Sequence, residues 1–336
     1  MNFDEFVNEV KDRVKDFLPA DYADASVEVM KSRKLNHTSP ALVVKKEGQE
    51  FAPSIDLDQF FQELEHSTVE EVLERVAELA QRKPDGIDKD ELGDYDRAKE
   101  RLFIRVSNAE TNRELLKIVP HKEILDLAVT CHILVESEDG EVGSMMVNND
   151  LRDKFGVTTE QLFEDAFLSS PAILPPSIKP MEAMIGMMLG YDMEMGVPAG
   201  FEKELEGLDL VREGMAVLTN DRSVNGAAVI LYPGVLEQIG ESQKVDMFIL
   251  PSSTHEVILV PDNGTMRLED LEDMVRSINA AEVAPQDRLS DTVYHYDHKA
   301  RILERGSDFA DRMNRDAQDL AEEPKTRHKK EKALER

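Results

Sequence analysis

Apolar residues at Phe3, Phe6, Val7, Val10, Val14, Phe17 and Leu18 recur at three- and four-residue steps, the spacing of one helical stripe, and Pro19 ends the pattern. The runs Ala25 to Met30, Ala41 to Lys45 and Phe51 to Leu57 then predict three short strands, separated by turn residues around Asn36 to Pro40 and at Gly48. Helices are predicted over Asp58 to Leu64 and Thr68 to Arg82, the second opened by a Ser67 or Thr68 cap with Glu70 or Glu71 in its first turn. Residues 1–83 therefore read as a small α-β-β-β-α-α unit. The stretch Pro84 to Asp96 is dense in acidic and turn residues and predicts a linker, which with the start of a helix occupies 84–100. Asp88, Asp90 and Gly93 imitate a calcium loop, but Leu92 and Lys99 stand where it needs an oxygen ligand and a bidentate Glu.

From Arg101 a larger body begins, expected to run to residue 304. Arg101 to Val106 alternates as a strand, Ala109 to Ile118 predicts a short helix, and the β-rich run Ile124 to Val135 is expected to pair with Val142 to Val147. Helices are predicted at Asp150 to Phe155 and Thr159 to Phe167, followed by a proline-broken crossing from Ser170 to Pro180 and a Met-rich helix from Met181 to Met188. Further strands are predicted at Met215 to Leu218, Ala227 to Tyr232, Asp246 to Leu250 and Glu256 to Val260, then a helix at Leu268 to Ile278 and an edge strand at VYHYDH. Residues 305–336 form a charged tail, basic from Lys325 onward, expected to be solvated and poorly ordered. The fold class is α+β, a mixed α/β protein with the small N-terminal unit and a mixed-sheet body flanked by helices.

Charge narrows the partners. The 336 residues carry 69 acidic and 40 basic side chains, a net charge of -29. A phosphate-backbone binder clusters Lys and Arg instead, so no nucleic-acid partner is expected, and an acidic mimic of DNA is the lesser alternative. The single cysteine, Cys131, excludes an internal disulfide framework and a cysteine-based zinc cluster, and fits a reducing cytoplasm. No leader or membrane span is expected: MNFDEFVNEVKDRVKDFL lacks a long apolar core, and no later run reaches the roughly 18 apolar residues of a span. Neither G-x-G-x-x-G nor a P-loop occurs, and no cofactor or metal is expected.

The densest candidate chemistry lies in Phe248 to Asp262, FILPSSTHEVILVPD, where hydroxyls, an imidazole and a carboxylate interrupt two strand-forming runs. Polar groups between buried strands are hydrogen-bonded or functional. A hydrolase would use Ser253 as nucleophile and His255 as base, with Asp246 or Asp262 as the orienting carboxylate. The G-x-S-x-G elbow that exposes such a nucleophile is missing. The other reading is a turn whose hydroxyls satisfy backbone groups. As a binding surface the candidates are Ser252, Ser253, Thr254, His255 and Glu256, joined by Asn220, Asn225 and Gly226 if their strands are adjacent. Met181, Met184, Met187, Met188, Met193 and Met195 form a second cluster, a packed core helix or an adaptable contact surface.

The runs LTNDRSVNGAAVILYPGVLEQIG, FILPSSTHEVILVPD and NAAEVAPQDRLSDTVYHYD resemble the bacterial domain-of-unknown-function family five-six-eight-eight, as do ALVVKKEGQEFAPSIDLDQFF, NRELLKIVPHKEILDLAV and FGVTTEQLFEDAF. The resemblance extends to about Asp297. It implies a cytosolic bacterial protein and supplies no activity. The expectation is a non-catalytic binding or regulatory protein, with a protein partner, and a Ser253/His255 hydrolase as the alternative.

Overall fold

A computed structural model describes residues 1–49, 52–82, 94–136, 142–188, 200–210, 214–315 and 318. The chain divides into two compact units, the first made of Met1–Phe103, Thr111–Pro120 and Thr130–Asp165, the second of Ile104–Glu110, His121–Val129 and Ala166–Arg336.

The first unit begins with α1 (Phe3–Arg13), whose Asn2 and Glu5 close a capping box over the first orphan amides. Strands β1 (Ser26–Lys34) and β2 (His37–Lys45) form an antiparallel hairpin, and β3 (Ser54–Asp56) pairs with β2. Helices α2 (Leu57–Glu63) and α3 (Val69–Gln81) follow, α3 with a second capping box between Thr68 and Glu71. The helical stripes meet the hairpin in a core that includes Phe6, Val10, Leu42, Leu57, Leu73 and Val76. This is the predicted α-β-β-β-α-α order. The expected linker at residues 84–93 lies outside the described residues.

Next come α4 (Tyr95–Ala98), β4 (Leu102–Asn108), α5 (Arg113–Leu116), β5 (His121–Ile124), β6 (Leu127–Glu136), β7 (Val142–Met146) and α6 (Asn149–Phe155). β4 and β6 each run along their length from one unit into the other. β7 pairs with β6 as predicted. The apolar run beginning at Ile124 turns at Leu125, in the left-handed region at φ 61°, so β5 and β6 are two strands rather than one.

The rest of the chain supplies α7 (Thr159–Ile173), β8 (Pro176–Pro180), α8 (Met181–Met188), α9 (Phe201–Glu206), β9 (Ala216–Asn220), α10 (Val235–Gln243), β10 (Met247–Leu250), β11 (Val257–Pro261), α11 (Leu268–Ala281), β12 (Tyr294–Asp297), β13 (Ile302–Arg305) and α12 (306–315). The strands form an antiparallel sheet in the order β13-β12-β10-β11-β9-β8.

Several predicted elements change, and the stretch from residue 305, expected as a solvated tail, carries α12, where Phe309 packs on His295. The segment expected as a strand at Ala227 to Tyr232 is a 3-10 helix over Gly226–Leu231, because its residues from Gly226 to Ile230 are buried and a short all-apolar run does not distinguish the two. VYHYDH is not an edge strand: β12 lies between β10 and β13. The expected crossing at Ser170 to Pro180 contains β8, and its prolines mark a sheet edge. Amides at alternate residues share a direction, so Pro176, Ile178 and Pro180 face away from β9. Two of the three have no N–H to offer, and the Ile178 N–H donates to Glu204 Oε2 of α9 at 2.6 Å. The edge thus presents no open donor at these three positions to another strand.

In α8, Ala183 is buried, Met181 and Met184 are half-buried and Ile185 is 49% exposed, so this helix is packed on one side and open on another. The side chains of Met187 and Met188, and residues Met193 and Met195, lie outside the described residues.

Candidate functional site

Pro251 to Glu256 leaves β10 as a bend rather than an extended strand, and its backbone is bonded on two sides. On one side the N–H of Ser290 donates to Pro251 O (3.0 Å), that of Leu289 to Ser252 O (3.2 Å), and that of Thr254 to Asp287 O (2.8 Å). On the other, the Gly226 N–H donates to His255 O (2.9 Å) and the Ala227 N–H to Thr254 O (3.2 Å). The Thr219 hydroxyl adds a third donor, to His255 O at 2.7 Å. These bonds place Asn225 and Gly226 against the bend that carries Ser253 and His255, although the two segments meet as a 3-10 helix start and a bend and not as adjacent strands. Gly226 is needed for the close approach: a Cβ there would lie 2.1 Å from Thr219 Oγ1 and 2.6 Å from His255 O.

Ser252, Ser253 and Thr254 are buried. The Ser253 hydroxyl oxygen accepts from the His255 backbone N–H at 3.0 Å, a local hydroxyl turn. The His255 ring points elsewhere. Its Nδ1 accepts from the Asn225 N–H at 3.3 Å, so the proton sits on Nε2, 3.3 Å from Asp287 Oδ1. The ring and Asp287 remain open to solvent, with 35% and 36% of their side-chain surfaces exposed. Glu256 is half-buried.

Asn220, almost wholly buried, organises the adjoining loop. Its Oδ1 accepts from the N–H groups of Arg222 (3.1 Å) and Val224 (3.3 Å), while its Nδ2 donates to Val224 O (2.8 Å). Ser223 and Asn225 both adopt φ 53°, an uncommon conformation for residues with a side chain. The result is a fixed loop that holds Val224 49% exposed beside the His255 ring's own partner, Asn225.

A family model described as a family of unknown function (DUF5688) matches residues 3–298. The chain belongs to this family. No curated protein and no solved structure matches it. Among the described residues of this DUF5688 chain, no helix is long and apolar enough to cross a membrane, and no group of three or more His, Cys, Asp or Glu side chains could hold a metal ion.

The carboxylate facing His255 is Asp287, 32 positions away in the chain. Asp246 and Asp262, the partners considered from sequence, serve other rings: His298 Nδ1 lies 2.6 Å from Asp246 Oδ1, and His295 Nε2 lies 3.3 Å from Asp262 Oδ2. His295 is fully buried and stacks on Phe309 of α12, with centroids 3.5 Å apart and planes 10° from parallel. Asp287 also shares its field with Arg105 of β4. Burial pushes that guanidinium down to about 10, and the Asp287 charge opposes the shift. The 287–290 segment is anchored further by the Ser290 and Tyr294 hydroxyls, each donating to Asp126 at 2.6 Å. Burial, then the Asp126 charge, raises the Tyr294 hydroxyl well above its usual range.

Proposed function

We propose that this DUF5688 protein is a non-catalytic binding or regulatory protein of the bacterial cytoplasm, whose contact surface is the fixed loop 221–225 together with the exposed faces of His255 and Asp287. The observation that carries this reading is the commitment of the candidate catalytic atoms. A Ser/His nucleophile pair needs the hydroxyl to donate to an imidazole nitrogen that is free to accept its proton. Here the accepting nitrogen, Nδ1, is engaged by the Asn225 N–H, and the Ser253 oxygen is engaged by the His255 N–H. Both groups hold the loop in shape, and the loop is what meets solvent. A protein partner suits such a surface better than nucleic acid, given the net charge of -29.

The test has two arms. A fluorophosphonate probe should leave Ser253 unmodified under native conditions; a covalent adduct there would favour the hydrolase alternative. In lysate of the source cell, a V224D/D287N variant should lose a partner that the wild-type protein retains. Equal retention by both proteins would remove the loop from the account. An acidic DNA mimic would predict retention of nucleic-acid-binding proteins regardless of these two positions.

A further inference from the structure

The sequence contains two Asn-Gly dipeptides, Asn225-Gly226 and Asn263-Gly264, and the structure places them in opposite surroundings, the first packed and the second exposed. An asparagine followed by glycine can lose its side-chain amide without an enzyme. The glycine backbone nitrogen, once deprotonated, attacks the asparagine Cγ; a C–N bond forms, the Cγ–Nδ2 bond breaks, and ammonia leaves. Water then opens the resulting five-membered imide at either carbonyl, giving aspartate or isoaspartate. No oxidant or reductant takes part. The reaction needs a glycine nitrogen able to move onto Cγ, and it is helped by any donor that stabilises negative charge on Oδ1 as the tetrahedral centre forms.

We infer that Asn263 is a spontaneous deamidation site built into the turn between β11 and α11, and that Asn225 is protected from the same reaction. Asn263, Gly264 and Thr265 are all exposed. Gly264 sits at φ 76° with no atom within 4 Å of where a Cβ would be, so its backbone has room to rotate toward the side chain. Asn263 Oδ1 accepts from the Thr265 N–H at 3.0 Å and from the Thr265 hydroxyl at 2.6 Å. These two donors polarise Cγ and are already in place for the oxyanion.

At Asn225 each requirement is blocked. The Gly226 nitrogen donates to His255 O at 2.9 Å, so its proton and lone pair are held away from Asn225. Gly226 is packed against Thr219 and the His255 carbonyl, and cannot rotate without opening the site. Asn225 is itself held through its N–H by His255 Nδ1. Deamidation at Asn263 places a new negative charge next to Asp262, the partner of the buried His295 ring.

The experiment is peptide mapping by mass spectrometry of the full chain, folded, during incubation at mildly alkaline pH and 37 °C. The amide-to-acid mass shift should accumulate at Asn263 about 10-fold or more faster than at Asn225, since reaction at Asn225 requires a local opening. In urea the two sites should converge. Replacing Thr265 by Val removes the hydroxyl donor and should slow Asn263 by about 3- to 10-fold, less than for a sequestered oxyanion site because this one is solvated. Asn225 reacting as fast as Asn263 in the folded chain would overturn the inference. So would an Asn263 rate that is unchanged or faster in Thr265→Val.

Discussion

Replacing Gly226 with Ala tests whether the Thr219, Asn220 and His255 backbones are locked together as described. The added Cβ would meet Thr219 Oγ1 at 2.1 Å, His255 O at 2.6 Å and Asn220 N at 2.7 Å, each inside any real carbon contact. Rotating Thr219 relieves the first clash but breaks its bond to His255 O and strands a buried hydroxyl, at about 1–3 kcal/mol. The other two contacts are backbone atoms, so β9 and the bend must separate, adding about 1–3 kcal/mol of overpacking strain. The expected loss is about 4 kcal/mol, a large share of the stability of an ordinary domain and about 8–16 °C in Tm for one of 150–250 residues. The chain has no tryptophan, so urea unfolding is best followed by far-UV circular dichroism or tyrosine emission. Gly207→Ala is the control: its nearest contacts are 3.8 Å away and its φ of -85° suits any residue, so its stability should stay within about 0.5 kcal/mol of wild type. A Gly226→Ala protein within about 1 kcal/mol of wild type would refute the close approach on which the site's geometry rests.

Two further outcomes follow from other parts of the second unit. Glu204→Ala leaves the Ile178 amide and the Ser177 hydroxyl without their carboxylate and should cost about 1–3 kcal/mol in urea unfolding, with Glu204→Gln recovering part of it by keeping an acceptor; no loss in the Ala variant would mean the β8 edge is not held this way. Burial tends to raise the Asp297 carboxyl, but the Ala300 and Lys299 N–H groups and the Arg312 guanidinium overcome it and hold the carboxyl below its usual range. Such a group adds stability above its unfolded-state pKa, about 3.9, and that stability is lost as pH falls through the lower folded value. Arg312→Met should therefore flatten the dependence of the urea midpoint on pH below about pH 4; an unaltered acid limb would show that the Arg312 pair contributes nothing there.

Much of the architecture was legible because local rules agreed with one another. The stripe of α1 and the cap of α3 coincide with real capping boxes, and the apolar runs around Phe248 and Val260 are adjacent strands. Legibility failed where partners are distant in sequence. Nothing in the local pattern of Pro176–Pro180 announces a strand, since its prolines are tolerated only because they face away from β9. β13 removes β12 from the edge, and no periodicity in four residues reveals that. The site shows the same division. Asn225 and Gly226 were legible as neighbours of His255 only on condition that their strands were adjacent, whereas Asp287 as the carboxylate on Nε2 depends on the pairing of 251–254 with 287–290. Thr219, ending in a buried hydroxyl at the tip of an apolar strand, was a signal that sequence reasoning passed over.

The most direct test of the central claim, that His255 braces a loop and does not serve Ser253, is the nitrogen-15 NMR spectrum of the His255 imidazole near pH 7.5, in the wild-type protein and in Ser253→Ala. The account predicts the tautomer with the proton on Nε2, Nδ1 shielded as a hydrogen-bond acceptor, and the same tautomer when the hydroxyl is removed. A proton on Nδ1, with a ring that changes tautomer on loss of the Ser253 hydroxyl, would contradict it and restore the nucleophile–base reading.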